Sequence, residues 1–570
     1  MTKESRHKTS LLSYIERITL KSWINLAVIV LGLTATVWFL IRVIPKPSRA
    51  SYPCQRAAFP LATGFVLWLV SVLTITPLLR KAKNVYPHRV WIGSLIAFVI
   101  LSGFMVWTIT IFNSNTFADT VDVKNHYNYI PEKSNNPIGT AKGIFPGRVV
   151  WAHDPKAAKW AGNWKEKSDQ WWLDKNTDQQ KVDAMLKTTI TNLTETDKLS
   201  TAWDLIFKHH NSIVRGIMNS GFTQGETVAL KINVNNSEGP NKTDNFSDAS
   251  PQMVLSVVRQ LINEAHVPAE NIIIYDVRRF IPPYILTKVW SEFKDVRFVQ
   301  KAAAEDIQPK NPGYNSYHGL EAAEWIDGIS YSKGEFNRAR YIAKQVYDAT
   351  YLINMSLLKT GSYPYQNMEI YGDEGQTGLT LSGKNHFGSI DGPYELHTTI
   401  NPSDLAVKNS YSPMVDLAAS PNLGKKTILY LMDGLYSGRK WRTYPNHFPN
   451  PPFNNQVEPY ENTTWPSCVL ASMDGVALDC VGLDILYSQT KNNVDSNGQS
   501  RLLIREYSQD YLLEMAQSDN PPSGTKYIQE GKRLKSLGVF EHWDNDLSRK
   551  YSRNLDPKNG KGIELIYFSL

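Results

Sequence analysis

Four short stretches of the chain hold residues whose types and spacing could do chemistry. The segment "KINVN" places Lys231, Asn233 and Asn235 at every second position, so all three share one face if the segment is extended. "NIIIYD" ends an apolar run on Asp276, and "LYLMDG" does the same with Asp433. "GKNHFGS" sets Lys384, Asn385 and His386 between two glycines, a donor-rich loop of the kind that cradles anions. A lysine in an apolar strand is costly to bury unpaired, so Lys231 must meet either a carboxylate such as Asp276 or an anionic ligand. Both partners stay open from the residues alone. A second set, His153, Asp154, His397 and His542, offers imidazole and carboxylate ligands suited to a divalent metal. It lacks the spacing of H-E-x-x-H or any other fixed metal motif.

These residues need elements to position them. The stretch 227–234 reads as a buried strand, and "SPQMVLSVVRQLINEAH" (250–266) follows with helical spacing of its apolar residues. Ser250 is the expected N-cap and Pro251 the first helical residue. With "NIIIYD" as the next strand this is a βαβ unit, which implies a parallel sheet. Further strands are expected at 349–355, 426–434 and 468–472, the last leading into a helix that Asp474 would cap. The fold class expected is α/β, a mainly parallel sheet with helices on both faces. In such sheets ligands bind beyond the carboxyl ends of the strands, where the residues named above fall. Strand followed by turn and helix also separates Cys468 from Cys480 too far for a disulfide, so both should be free thiols.

The ordered run "VALKINVN", "IIIYD", "LSGKNHFGS", His397, "VDLAAS", "LYLMDG" and "SMDGVALDCVGLDIL" resembles the domain of unknown function 362 family over roughly 227–490. The flanks "GRVVWAHDP" and "LGVFEHWDN" look like a membrane-anchored branch of it. Gly475 stands where relatives typically carry proline, and this chain lacks the ferredoxin-type cysteines of some relatives. The resemblance implies no reaction. No G-x-S-x-G elbow, P-loop or G-x-G-x-x-G occurs either.

Charge and hydropathy divide the chain. Residues 1–112 hold 13 Lys and Arg against 2 Asp and Glu, leaving 48 against 52 in residues 113–570. The net charge of +7 is therefore no footprint for nucleic acid, and no nucleic-acid partner is expected. Three apolar runs of 23 residues, 22–44, 57–79 and 90–112, predict a membrane anchor of three transmembrane helices. Nine basic residues on one side of them against five on the other put the N-terminus in the cytoplasm. Residues 113–145 would then be a polar spacer and 146–570 an extracytoplasmic α/β domain, in an integral protein of the cytoplasmic (inner) membrane. Three cysteines, Cys54, Cys468 and Cys480, form no C-x-x-C pair and leave no iron–sulfur cluster. The function expected is a membrane-anchored envelope protein that holds a small anionic or oxygen-rich ligand at the strand ends, for binding or for chemistry. The alternative is a non-catalytic envelope module that recognises glycan or a protein partner through an aromatic surface, prompted by four tryptophans in "WAGNWKEKSDQWWLD" (160–174).

Overall fold

The computed structural model describes residues 132–166, 168–240, 242, 244–301, 319–361, 378–400, 411–438, 442–453, 465–490 and 509–570, with 33, 34, 36–38 and 41. The chain divides into Met1–Tyr127 and Asn128–Leu570, and the elements below belong to the second.

A ten-stranded sheet organises this unit. In chain order its strands are β1 (Arg148–His153), β2 (Val228–Lys231), β3 (Ile272–Asp276), β4 (Arg297–Gln300) and β5 (Leu320–Ala322), then β6 (Tyr351–Gly361), β7 (Gly378–Leu379), β8 (Thr427–Gly438), β9 (Cys468–Ser472) and β10 (Glu564–Ser569). They lie side by side as β10-β1-β9-β8-β6-β2-β3-β4-β5, with the short β7 on β6. From β8 to β5 every pairing on that path is parallel, as the βαβ reading requires. The sheet as a whole is mixed but mainly parallel, as expected, with six parallel pairings and three antiparallel ones among the described residues. β9 runs antiparallel to both β8 and β1. An antiparallel neighbour needs no crossover helix, and the sequence between β8 and β9 is rich in turn residues instead.

The strands that read as continuous apolar runs do so because both faces are covered. One face buries Val228, Leu230, Ile272 and Ile274 against α1 (Gln179–Thr194), α2 (Leu199–His210), α3 (Pro251–Asn263) and α4 (Pro283–Trp290). The other buries Ala229, Ile273 and Tyr275 against α6 (Pro393–Ile400), α7 (Pro413–Ala419), α8 (Gly475–Thr490) and α9 (Asp510–Ala516), and the short polar α5 (Ser382–Asn385) packs between β6, α7 and α8. Helix α3 starts as its sequence indicates, with Ser250 accepting from Met253 N and Pro251 in the first turn. Asp474 caps α8 by accepting from Ala477 N at 3.0 Å. Trp160, Trp171 and Trp172 sit in the first core, whereas Trp164 is 47% exposed and stacks on Tyr444. Cys468 and Cys480 are buried free thiols.

The three expected transmembrane helices are not supported. Among the described residues no helix is long and apolar enough to cross a membrane. The longest, α1 and α8, have 16 residues and so span about 24 Å, short of a hydrocarbon core of about 30 Å. Apart from a few positions between 33 and 41, the runs 22–44, 57–79 and 90–112 lie outside the described residues.

Candidate functional site

Lys231 ends β2 rather than sitting in the middle of a strand, and it is fully buried. Alternation places it on the face of Ala229, towards α5 and the turn His386–Ser389. The register pairs Lys231 with Tyr275, so Asp276 lies one residue beyond on the adjacent strand. The ammonium is 3.1 Å from Asp276 Oδ2 and 3.2 Å from Asn385 Oδ1, and it donates to the Ile232 carbonyl. Burial lowers the Lys231 pKa and Asp276 works against that shift. The lysine is one half of a buried pair.

Gly388 makes that pair possible. A Cβ there would stand 2.6 Å from Lys231 Nζ and 2.8 Å from Asp276 Oδ2. Its carbonyl meanwhile accepts from Val277 N, which pins the turn over the two strands. Gly388→Ala is expected to cost about 1–3 kcal/mol by overpacking, read as a lower urea midpoint. An unchanged midpoint would show that the turn is free to lift.

Asn385 reaches further, donating from Nδ2 to Asn354 Oδ1 (2.7 Å) and Met355 O (3.1 Å). Asn354 Nδ2 in turn donates to Ser382 O (3.0 Å) and lies 3.2 Å from His386 Nε2. Since Asn354 offers an N–H to this ring nitrogen, Nε2 accepts and the neutral imidazole carries its proton on Nδ1. Burial and the nearby Lys231 push His386 down to about 3, so it stays neutral. Its Nδ1 is buried and has no hydrogen-bond partner among the described residues. Asp479 holds the start of this segment by accepting from Ser382 N and Gly383 N, each at 2.9 Å.

Beyond the neighbouring strands lies a group of cations. Lys359, near the end of β6, is 1% exposed and its Nζ has no hydrogen-bond partner among the described residues. Burial lowers it to about 8; Asp248 pulls it back up, while Lys242 and Arg279 push it down. Lys384 is half-buried at its surface, and burial together with Lys359 brings its ammonium down to about 7. Arg279 is gripped by Asn235, through Nε to the carbonyl (2.7 Å) and Nη2 to Oδ1 (3.0 Å). Asp248 is engaged elsewhere: it accepts from Lys242 Nζ and from Asn236 N.

The remaining candidates do not join this group. Asn233 accepts from Asn235 N at 3.2 Å and so shapes the loop. Asp433 accepts from both N and Oγ of Ser250, at 2.8 and 2.7 Å, and from Leu435 N, tying β8 to the start of α3. Burial raises its pKa. His153 meets Tyr567 at 3.0 Å, and burial lowers it to about 4. Asp154 pairs with Lys181 at 2.7 Å. His397 bonds its own helix at Pro393 O, 2.8 Å away. His542 lies between Asp484 (2.7 Å) and Gln509 (2.9 Å). Each of the four metal candidates thus has its own partner, and the described residues contain no group of three that could hold a metal ion. A cavity of about 420 Å³ lies elsewhere, lined by Phe207, Phe222 and Glu264. Phe207 and Phe222 pack on Tyr351, the first residue of β6, so that cavity is at the amino ends of the strands.

Sequence reasoning missed Lys359 and Arg279. The signal for Lys359 was the one that marked Lys231, a lysine inside an apolar run, here "LINMSLLKTG".

Residues 228–484 match the family described as Domain of unknown function (DUF362). All eight candidate ligand-binding residues lie inside that match, and of the metal candidates only His397 does. No curated protein and no solved structure was found to match the chain.

Proposed function

We propose that the DUF362 domain of this chain binds a small anionic or oxygen-rich ligand beyond the carboxyl ends of its parallel strands. The observation that carries this reading is Lys359, an ammonium with 1% exposure and no hydrogen-bond partner among the described residues. An unpaired buried ammonium costs several kcal/mol, and a bound anion is what would offset it. The carboxylate that acts on Lys359, Asp248, is already engaged by Lys242. Lys384 and Arg279 add charge of the same sign within reach of Lys359. In parallel α/β sheets this end is where ligands bind.

The test is the pH dependence of binding. Lys359 faces Asp248, Lys242 and Arg279, and Lys384 faces Lys359. Both lysines lie below their ordinary 10.5, so the unliganded fold binds fewer protons than the unfolded chain between about 7 and 10.5. Its stability therefore rises with pH across that window. An anion reverses the preference by favouring the protonated lysines. Sulfate keeps one charge throughout this range and serves as the probe, measured by calorimetry on the full chain from pH 6 to 10. Affinity should be greatest near pH 6 and fall at least tenfold by pH 9. Binding that is flat with pH, or no binding at pH 6, would contradict the reading.

A further inference from the structure

We propose that the cavity at the amino ends of the strands is a second binding site, and that it takes a small organic ammonium with an apolar body. Its volume of about 420 Å³ falls within the roughly 300–1,000 Å³ of small-molecule sites. The room for a ligand is therefore present before anything binds.

One wall is aromatic and held in place. The rings of Phe207, in the last turn of α2, and Phe222 stand 5.6 Å apart between centroids at an angle of 58°. Both lean on Tyr351, with centroids at 4.8 Å for Phe207 and 6.5 Å for Phe222. Tyr351 is fixed in turn. Its hydroxyl accepts from Arg215 Nη1 at 2.6 Å and lies 3.0 Å from Asn211 Oδ1 and 2.8 Å from Glu226 Oε2. Little side-chain freedom remains to be lost on binding.

The polar lining is acidic, and neither lysine nor arginine contributes to it. Asp204 and Phe207 are three apart on α2 and so share a face of the helix. Lys208 lies 2.6 Å from Asp204 Oδ2, but the two side chains are 39% and 45% exposed, and so open a pair is weak. A Cβ at Gly221 would collide with the other oxygen, Oδ1, so glycine at 221 leaves that oxygen its space. Glu264 directly follows α3, is half-buried and forms no ion pair among the described residues. The carboxyl end of α3, the negative pole of its helix dipole, reaches the cavity at the same point.

A carboxylate without a partner, the negative end of a helix and two ring faces all favour a cation, and the rings favour one with an apolar body. An anion would be repelled. A neutral apolar ligand would cover Glu264 without pairing it. A bare divalent ion would need oxygen ligands all round, which Phe207, Phe222 and Pro268 do not supply.

Calorimetric titration of the full chain at pH 7.5 and constant ionic strength tests the inference. The probes are phenethylammonium, phenethyl alcohol, which has the same carbon skeleton with a hydroxyl in place of the ammonium, and magnesium chloride. Phenethylammonium should bind at least tenfold more tightly than the alcohol. Glu264→Gln should weaken the ammonium roughly tenfold, as expected for loss of a charged partner, and leave the alcohol unchanged. Circular dichroism checks the fold, and Asp204→Asn carries the same comparison if Glu264→Gln fails to fold. The alcohol binding as tightly as the ammonium would overturn the charge selection. Displacement of phenethylammonium by equimolar magnesium would make this a metal site instead. Binding that ignores both carboxylate variants, or no binding of phenethylammonium, would overturn the site.

Discussion

Replacing Lys231 by methionine is expected to destabilise the domain by about 3–5 kcal/mol, because it strands a buried carboxylate. Methionine keeps most of the stem and removes the charge. Asp276, 3% exposed, would then keep Arg278 N at 3.1 Å as its other hydrogen bond, and Asn385 Oδ1 would lose its donor. Turn 386–389 rests on the same contacts, so the loss should spread to the segment that carries His386. Chemical unfolding of the full chain measures the effect. Adding Asp276→Asn to Lys231→Met should recover at least half of it, since the stranded charge is gone. A loss below about 1 kcal/mol would mean that water reaches Asp276 and the pair is not sealed.

Lys359→Met should act with the opposite sign. The wild-type ammonium is buried without a partner among the described residues, so removing its charge relieves a penalty. A gain of about 1–3 kcal/mol in the unliganded protein is expected, within the range seen when buried charges give way to apolar groups. Anion binding should disappear in the same variant. Stability gained where function is lost is the usual mark of a site that keeps an unfavourable group for its ligand. A destabilised Lys359→Met would instead show that the lysine supports the fold.

The two lysines explain how far the sequence could be read. The βαβ order, the Ser250 cap and the free cysteines were legible because each follows from local spacing. The antiparallel direction of β9 was not, since no local pattern distinguishes a buried strand from its reverse. Within the site, the meeting of Lys231 with Asp276 and Asn385 follows from strand register plus one glycine-flanked turn. Lys359 was harder to read, as its meaning depends on Asp248 being taken by Lys242 in a remote segment, and Asp433 looked identical to a site residue while serving as an anchor for Ser250. Charged residues at strand ends can be found by sequence; which of them already have partners is settled only by packing.

The most direct measurement is thermal unfolding of the full chain at pH 6 with and without a saturating small anion, for wild type and Lys359→Met side by side. A ligand at a hundred times its dissociation constant stabilises by about 2.7 kcal/mol. The proposal predicts an upward shift of the wild-type midpoint that grows with the logarithm of anion concentration, and none in Lys359→Met. Equal shifts in the two proteins, or no shift in either, would contradict it.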